Sequence, residues 1–140
     1  MCAWQLVADC KIDECVGKEW DAIACPGGMP GAEHLRDSAP LTELLKAQVV
    51  ANKLTAAVCA SPAVVFATHG LLPAKATCFP VDKFKAAVPG WEDAKVVVDG
   101  CVITSQGPGT SLQFALKIVE QLYGLPKAEE LAKGLLTTLA

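Results

Sequence analysis

The segment Leu54 to Ala63, LTAAVCASPA, puts a thiol where chemistry is plausible. The short apolar run Leu54–Val58 reads as a strand, and Ala60, Ser61 and Pro62 suit a sharp turn into a helix with proline near its first position. Cys59 then sits at a strand-to-helix elbow, where unpaired N–H groups and the positive end of a helix favour thiolate over thiol. The spacing is that of a nucleophile elbow with sulfur in place of the serine oxygen. The same residues also fit an inert cysteine filling an apolar niche at a strand end.

A second feature lies upstream. The run Asp21–Cys25 reads as a buried strand ending in Pro26-Gly27-Gly28-Met29-Pro30-Gly31. In a parallel α/β sheet, ligands collect at the carboxyl ends of strands, so Gly27-Gly28 and Cys59 can face one another. Glycine N–H groups would then hold an oxyanion formed when a thiolate attacks a carbonyl, since only glycine lets the backbone approach so closely. Taken without the cysteine, Gly27-Gly28 reads first as an ordinary turn.

The elements that must position these residues alternate between strand-like and helical patterns, the signature of an α/β fold. Strands are expected at Trp4–Ala8, Asp21–Cys25, Leu54–Val58 and Lys75–Cys78. Short helices are expected at Ile12–Gly17 and Val81–Ala87. Pro40–Asn52 carries Leu41, Leu44, Leu45 and Val49 at helical spacing. Within Val96–Thr104, two apolar runs flank Asp99-Gly100, a pair favoured in a type I′ hairpin. Gly107-Pro108-Gly109 ends the second run, and Thr110 or Ser111 is placed to cap a helix whose buried stripe is Leu112, Ala115, Leu116, Val119 and Leu122. A last helix covers Lys127–Leu136. The whole reads as one domain, with no repeat or linker.

Composition narrows the function. The 140 residues are 52% hydrophobic with a net charge of −3, which fits a compact globule and gives no electrostatic reason to bind nucleic acid or an anionic membrane. No apolar run approaches a bilayer span, and the amino terminus lacks the pattern of a secretory signal. Seven cysteines, at 2, 10, 15, 25, 59, 78 and 101, form an odd set without a CxxC pair, so neither a zinc site nor a disulfide framework is expected. A reducing, cytoplasmic compartment fits.

Taken together, ACPGGMPGAEHLRDS from residue 24, LTAAVCASPAVVFATHGLL from 54, ATCFP from 76 and VDGCVITSQGPGTSLQFALKIVEQLYG from 98 resemble the ThiJ/PfpI superfamily. Within it they look most like the plant-type members of the parkinsonism-associated deglycase, or glyoxalase III, branch. The resemblance implies a flavodoxin-like three-layer sandwich of the class I glutamine amidotransferase type with a mainly parallel sheet. It implies Cys59 as nucleophile or peroxide-sensitive thiol, and an oxyanion site lined by Gly27, Gly28 and the backbone of Ala60. It implies no metal or organic cofactor, a reactive aldehyde or glycated protein as the partner, and assembly as a homodimer. A protease is disfavoured, because protease-type members place histidine after the cysteine where this chain has Ala60.

The chain also departs from the family pattern. Members begin with a strand, a helix and a second strand that have no match here, so an N-terminally truncated domain, less stable than a full-length relative, is expected. The acidic residue that accompanies the elbow sulfur belongs to that part, and Glu14, Glu19 and Glu33 read as solvated surface charges. Phe79 stands where some members carry histidine, and Gln106 where some carry arginine. His34 and His69 support no Cys–His pair. Two functions follow: a Cys59-dependent glyoxalase or deglycase, or a non-enzymatic redox sensor or chaperone-like protein using an oxidisable Cys59.

Overall fold

The computed structural model describes residues 7–140. Four strands, β1 (Ala22–Cys25), β2 (Leu54–Val58), β3 (Val96–Asp99) and β4 (Val102–Ser105), form one sheet in the order β1-β2-β4-β3. β1, β2 and β4 run parallel, with Ala22 beside Leu54 and Thr55 beside Val102, while β3 lies antiparallel on β4. The helices are α1 (Gly31–Asp37), α2 (Ala39–Val50), α3 (Asp82–Ala86), α4 (Ser111–Tyr123) and α5 (Leu125–Gly134).

Side-chain alternation along the strands divides the interior in two. Leu54 and Ala56 of β2 and Ile103 of β4 meet Phe114 of α4 on one face. Ala57 of β2, Val102 of β4 and Cys25 of β1 meet Leu41 and Leu45 of α2, with Val65 and Phe66, on the other. This is the α/β sandwich expected from the sequence, with helices on both faces of a mainly parallel sheet.

Most elements fall where the residue patterns place them, and the differences have local causes. The expected Trp4–Ala8 strand lies mostly outside the described residues. Ile12–Cys15 is one 3₁₀ turn. Lys75–Cys78 is not a sheet strand: its only bridge pairs Ala76 with Trp91, and Thr77 N donates to the Thr104 hydroxyl rather than to a backbone carbonyl. The hairpin is offset by one residue, because Asp99 pairs with Val102 and leaves Gly100-Cys101 as the loop. With φ positive at Gly100 and not at Cys101, that loop lacks the two positive values of a type I′ turn. On α4 the buried residues are Phe114 and Leu116, whereas Leu112 and Leu122 are exposed. On α2, Gln48 joins Leu41 and Leu45 in the interior and donates from Nε2 to Leu54 O at 3.3 Å.

Candidate active site

The site is built from loops at the carboxyl ends of three parallel strands. β2 delivers Cys59, β1 delivers Pro26-Gly27-Gly28, and β4 leads into Gln106-Gly107-Pro108. Pro26, Gly27, Gly28, Val58, Cys59, Gly107, Pro108 and Ser111 line an open cleft of ≈ 370 Å³. Of the oxyanion residues expected from sequence, Gly27 and Gly28 line this cleft together with Cys59, whereas Ala60 follows Cys59 in the chain and is buried outside the lining.

Cys59 has φ 65, a left-handed conformation that costs a non-glycine residue about 1–2 kcal/mol. The surroundings impose it. Cys59 N donates to Ser105 O at 3.0 Å and Cys59 O accepts from Phe79 N at 2.8 Å, so its backbone is tied to β4 on one side and to the Phe79 segment on the other. The chain leaves the elbow through Pro62–Phe66, a wide π-helical turn rather than the regular helix expected. Ser61, fully buried, donates its hydroxyl to Pro26 O and so ties the elbow to the glycine loop.

Gly27 fits because it has no side chain. A Cβ there would run into Cys59 Cβ and come within 2.9 Å of Val58 O and 3.1 Å of Cys59 Sγ. Gly28 serves a different purpose, supplying φ +91 in open space. Among the described residues, the N–H groups of Gly27, Gly28 and Ala60 have no hydrogen-bond partner. Donors left free in this way can receive an oxyanion at the cleft.

The rest of the wall comes from residues that sequence reasoning treated only as punctuation. Gly107 faces the Phe79 ring, which would lie 3.3 Å from an added Cβ. Thr110 does not cap α4 with its side chain; its Oγ1 accepts from Gly107 N at 3.0 Å and lies 2.7 Å from Ser105 Oγ, bracing the loop after β4. The available signal was position, since a Gly-Pro-Gly run directly after a parallel strand sits at the ligand-binding end of the sheet.

Other candidate groups lie elsewhere. Glu14 accepts from Lys11 N at 3.0 Å, and Glu19 pairs with Lys53 at 3.1 Å. Among the described residues, no carboxylate and no histidine lines the cleft. His69 Nε2 lies 2.8 Å from Arg36 O, and Gln106 donates to Asp93 at 2.9 Å. Cys78 is fully buried, and burial, with a smaller contribution from neighbouring Cys59, pushes its thiol up to about 11 against the opposing pull of Lys85. Cys25, at the end of β1, is pushed to about 11 by burial alone. No cluster of metal-ligating side chains occurs among the described residues.

A cysteine elbow opposite a glycine loop, on a mainly parallel sheet with helices on both faces, defines a class of α/β protein with a thiol at the carboxyl end of its sheet. The model of the DJ-1/PfpI family matches residues 3–121, and the chain belongs to that family. It is 48% identical over 133 residues to "Protein DJ-1 homolog B" of Arabidopsis thaliana, covering 94% of this chain and 30% of that protein. To "Glutathione-independent glyoxalase DJR-1.2" of Caenorhabditis elegans it is 41% identical, covering 94% of this chain and 70% of the relative. The solved structure of oxidized Toxoplasma gondii DJ-1 superposes with a TM-score of 0.87 at 46% identity, covering 94% of this chain and 72% of that one. The chain thus has the flavodoxin-like DJ-1 fold, and it spans about a third of the Arabidopsis relative's length.

Proposed function

We propose that the chain acts as a Cys59-dependent glyoxalase of the glutathione-independent type, converting methylglyoxal to lactate, with glycated protein groups as related substrates. The observation that carries this reading is Cys59 held at φ 65 against Gly27, with the free N–H groups of Gly27 and Gly28 on residues that line the same cleft and that of Ala60 next to Cys59 in the chain. Its similarity to the C. elegans glyoxalase adds support.

The Cys59 thiolate adds to the aldehyde carbon, forming a C–S bond and a hemithioacetal oxyanion that the three N–H groups receive. The hydrogen on that carbon then moves, as a proton, to the neighbouring carbon. Addition of water releases the hydroxy acid and returns the thiol. None of these steps draws on an organic cofactor.

Methylglyoxal turnover by the purified chain, beside Cys59→Ser with both samples checked by circular dichroism, tests the reading. The expected result is turnover that falls to the buffer rate in the variant. Equal turnover in both, or none from a folded native chain, overturns it.

One observation favours a second reading. The proton transfers need an acid and a base, and among the described residues no carboxylate lines the cleft. A redox-sensing or chaperone-like role needs only an oxidisable Cys59, which climbs to sulfenic and then sulfinic acid. Mild peroxide followed by mass spectrometry separates the two: a folded chain without turnover, oxidised selectively at Cys59, fits the sensor.

A further inference from the structure

Cys10 and Cys15 bracket the 3₁₀ turn Ile12–Cys15, and their sulfurs lie 3.7 Å apart. The turn is held by several bonds. Lys11 N donates to Glu14 Oε1 at 3.0 Å, Glu14 N donates to Lys11 O at 3.1 Å, and Trp20 Nε1 donates to Cys15 O at 3.2 Å. Cys10 is exposed, whereas Cys15 is half-buried and lines an apolar cavity of ≈ 240 Å³ with Ile12, Trp20, Ile23 and Leu44. Neither residue lines the Cys59 cleft.

We propose that Cys10 and Cys15 form a redox-active dithiol, closed to an intramolecular disulfide by a hydroperoxide and separate from the chemistry at Cys59. One thiolate attacks a peroxide oxygen, breaking the O–O bond and becoming a sulfenic acid as hydroxide, or the alcohol of an organic hydroperoxide, leaves. The second thiolate attacks that sulfur, forming the S–S bond and expelling hydroxide. The protein loses two electrons, and hydrogen peroxide is reduced to two waters once the protons are counted. A disulfide is about 2.05 Å long, so the sulfurs must approach by roughly 1.6 Å. Rotation of the exposed Cys10 side chain can supply much of that movement. Closure cross-links the turn on the wall of the cavity beside β1, which gives oxidation at this point a structural consequence.

Placement of the two cysteines makes the test direct. Trypsin cleaves after Lys11 and Lys18, so Cys10 and Cys15 fall in separate peptides, 1–11 and 12–18, which only a disulfide joins. The full chain is treated with hydrogen peroxide, its remaining thiols are alkylated, and the non-reduced digest is read by tandem mass spectrometry. A joined pair lacking two hydrogens is expected. It persists in Cys2→Ser and Cys59→Ser and is lost in Cys10→Ser and Cys15→Ser. It forms more slowly in urea, where the turn no longer holds the thiols together. Separately alkylated Cys10 and Cys15, a link through Cys2, a link between chains, or equal rates in folded and unfolded protein would each overturn the proposal.

Discussion

Cys59 concentrates the cost of building the cleft. Its positive φ is sustained by bonds to Ser105 and Phe79 rather than by any preference of cysteine for that conformation. Relieving the strain is expected to stabilise the fold while removing the thiol. Cys59→Gly should therefore exceed Cys59→Ala in stability by about 0.5–1 kcal/mol in urea denaturation, the gain in backbone freedom being partly offset by the greater entropy of glycine in the unfolded chain. Equal midpoints would show that the surrounding bonds had already absorbed the strain.

At the scale of elements, the glycine loop and the elbow are packed as one unit. Gly27 abuts Cys59 while Gly28 faces open space, so the two glycines should respond differently to the same methyl group. Gly27→Ala forces Cys59 and the end of β2 apart, at an expected cost of about 1–3 kcal/mol, and it should alter the alkylation rate of Cys59. Gly28→Ala meets only the strain of a left-handed φ, about 1–2 kcal/mol. Urea midpoints read the stabilities, and timed iodoacetamide labelling reads the thiol. An unchanged Cys59 labelling rate in Gly27→Ala would mean that the loop can retreat from the elbow.

For the whole molecule, two thiols link stability to alkaline pH. Burial pushes both Cys25 and Cys78 from the usual 9.0 to about 11. In the unfolded chain they titrate near 9.0, so between 9 and 11 the unfolded state has lost protons that the folded state still holds. Stability should be flat below about pH 8, fall as pH rises from 9 to 11, and level off above. The full displacement corresponds to roughly 2–3 kcal/mol per thiol. Urea midpoints recorded across that range check the prediction, and Cys25→Ala should flatten the curve. A midpoint that does not move through pH 11 would show that water reaches both thiols.

The α/β class, β1, β2, α2 and the position of Cys59 were legible because each rests on local information. An apolar strand of five residues, a helical stripe and a proline after a turn are written in consecutive positions. The buried face of α4, the offset of the hairpin and the bridge that replaces a strand at Lys75–Cys78 were not, because each depends on what lies opposite. Phe114 is buried by β2 and β4, and Asp99 is drawn into pairing by Val102. The site divides in the same way. Sequence alone determined the chemistry on offer, a thiol at an elbow and two glycines after a strand. Tertiary structure decided that Gly27 touches Cys59, that Ser61 ties the elbow to Pro26, and that Cys59 is anchored to Ser105 and Phe79. Contacts between residues far apart in the chain depend on how strands are ordered and loops are closed, and no local pattern encodes that order.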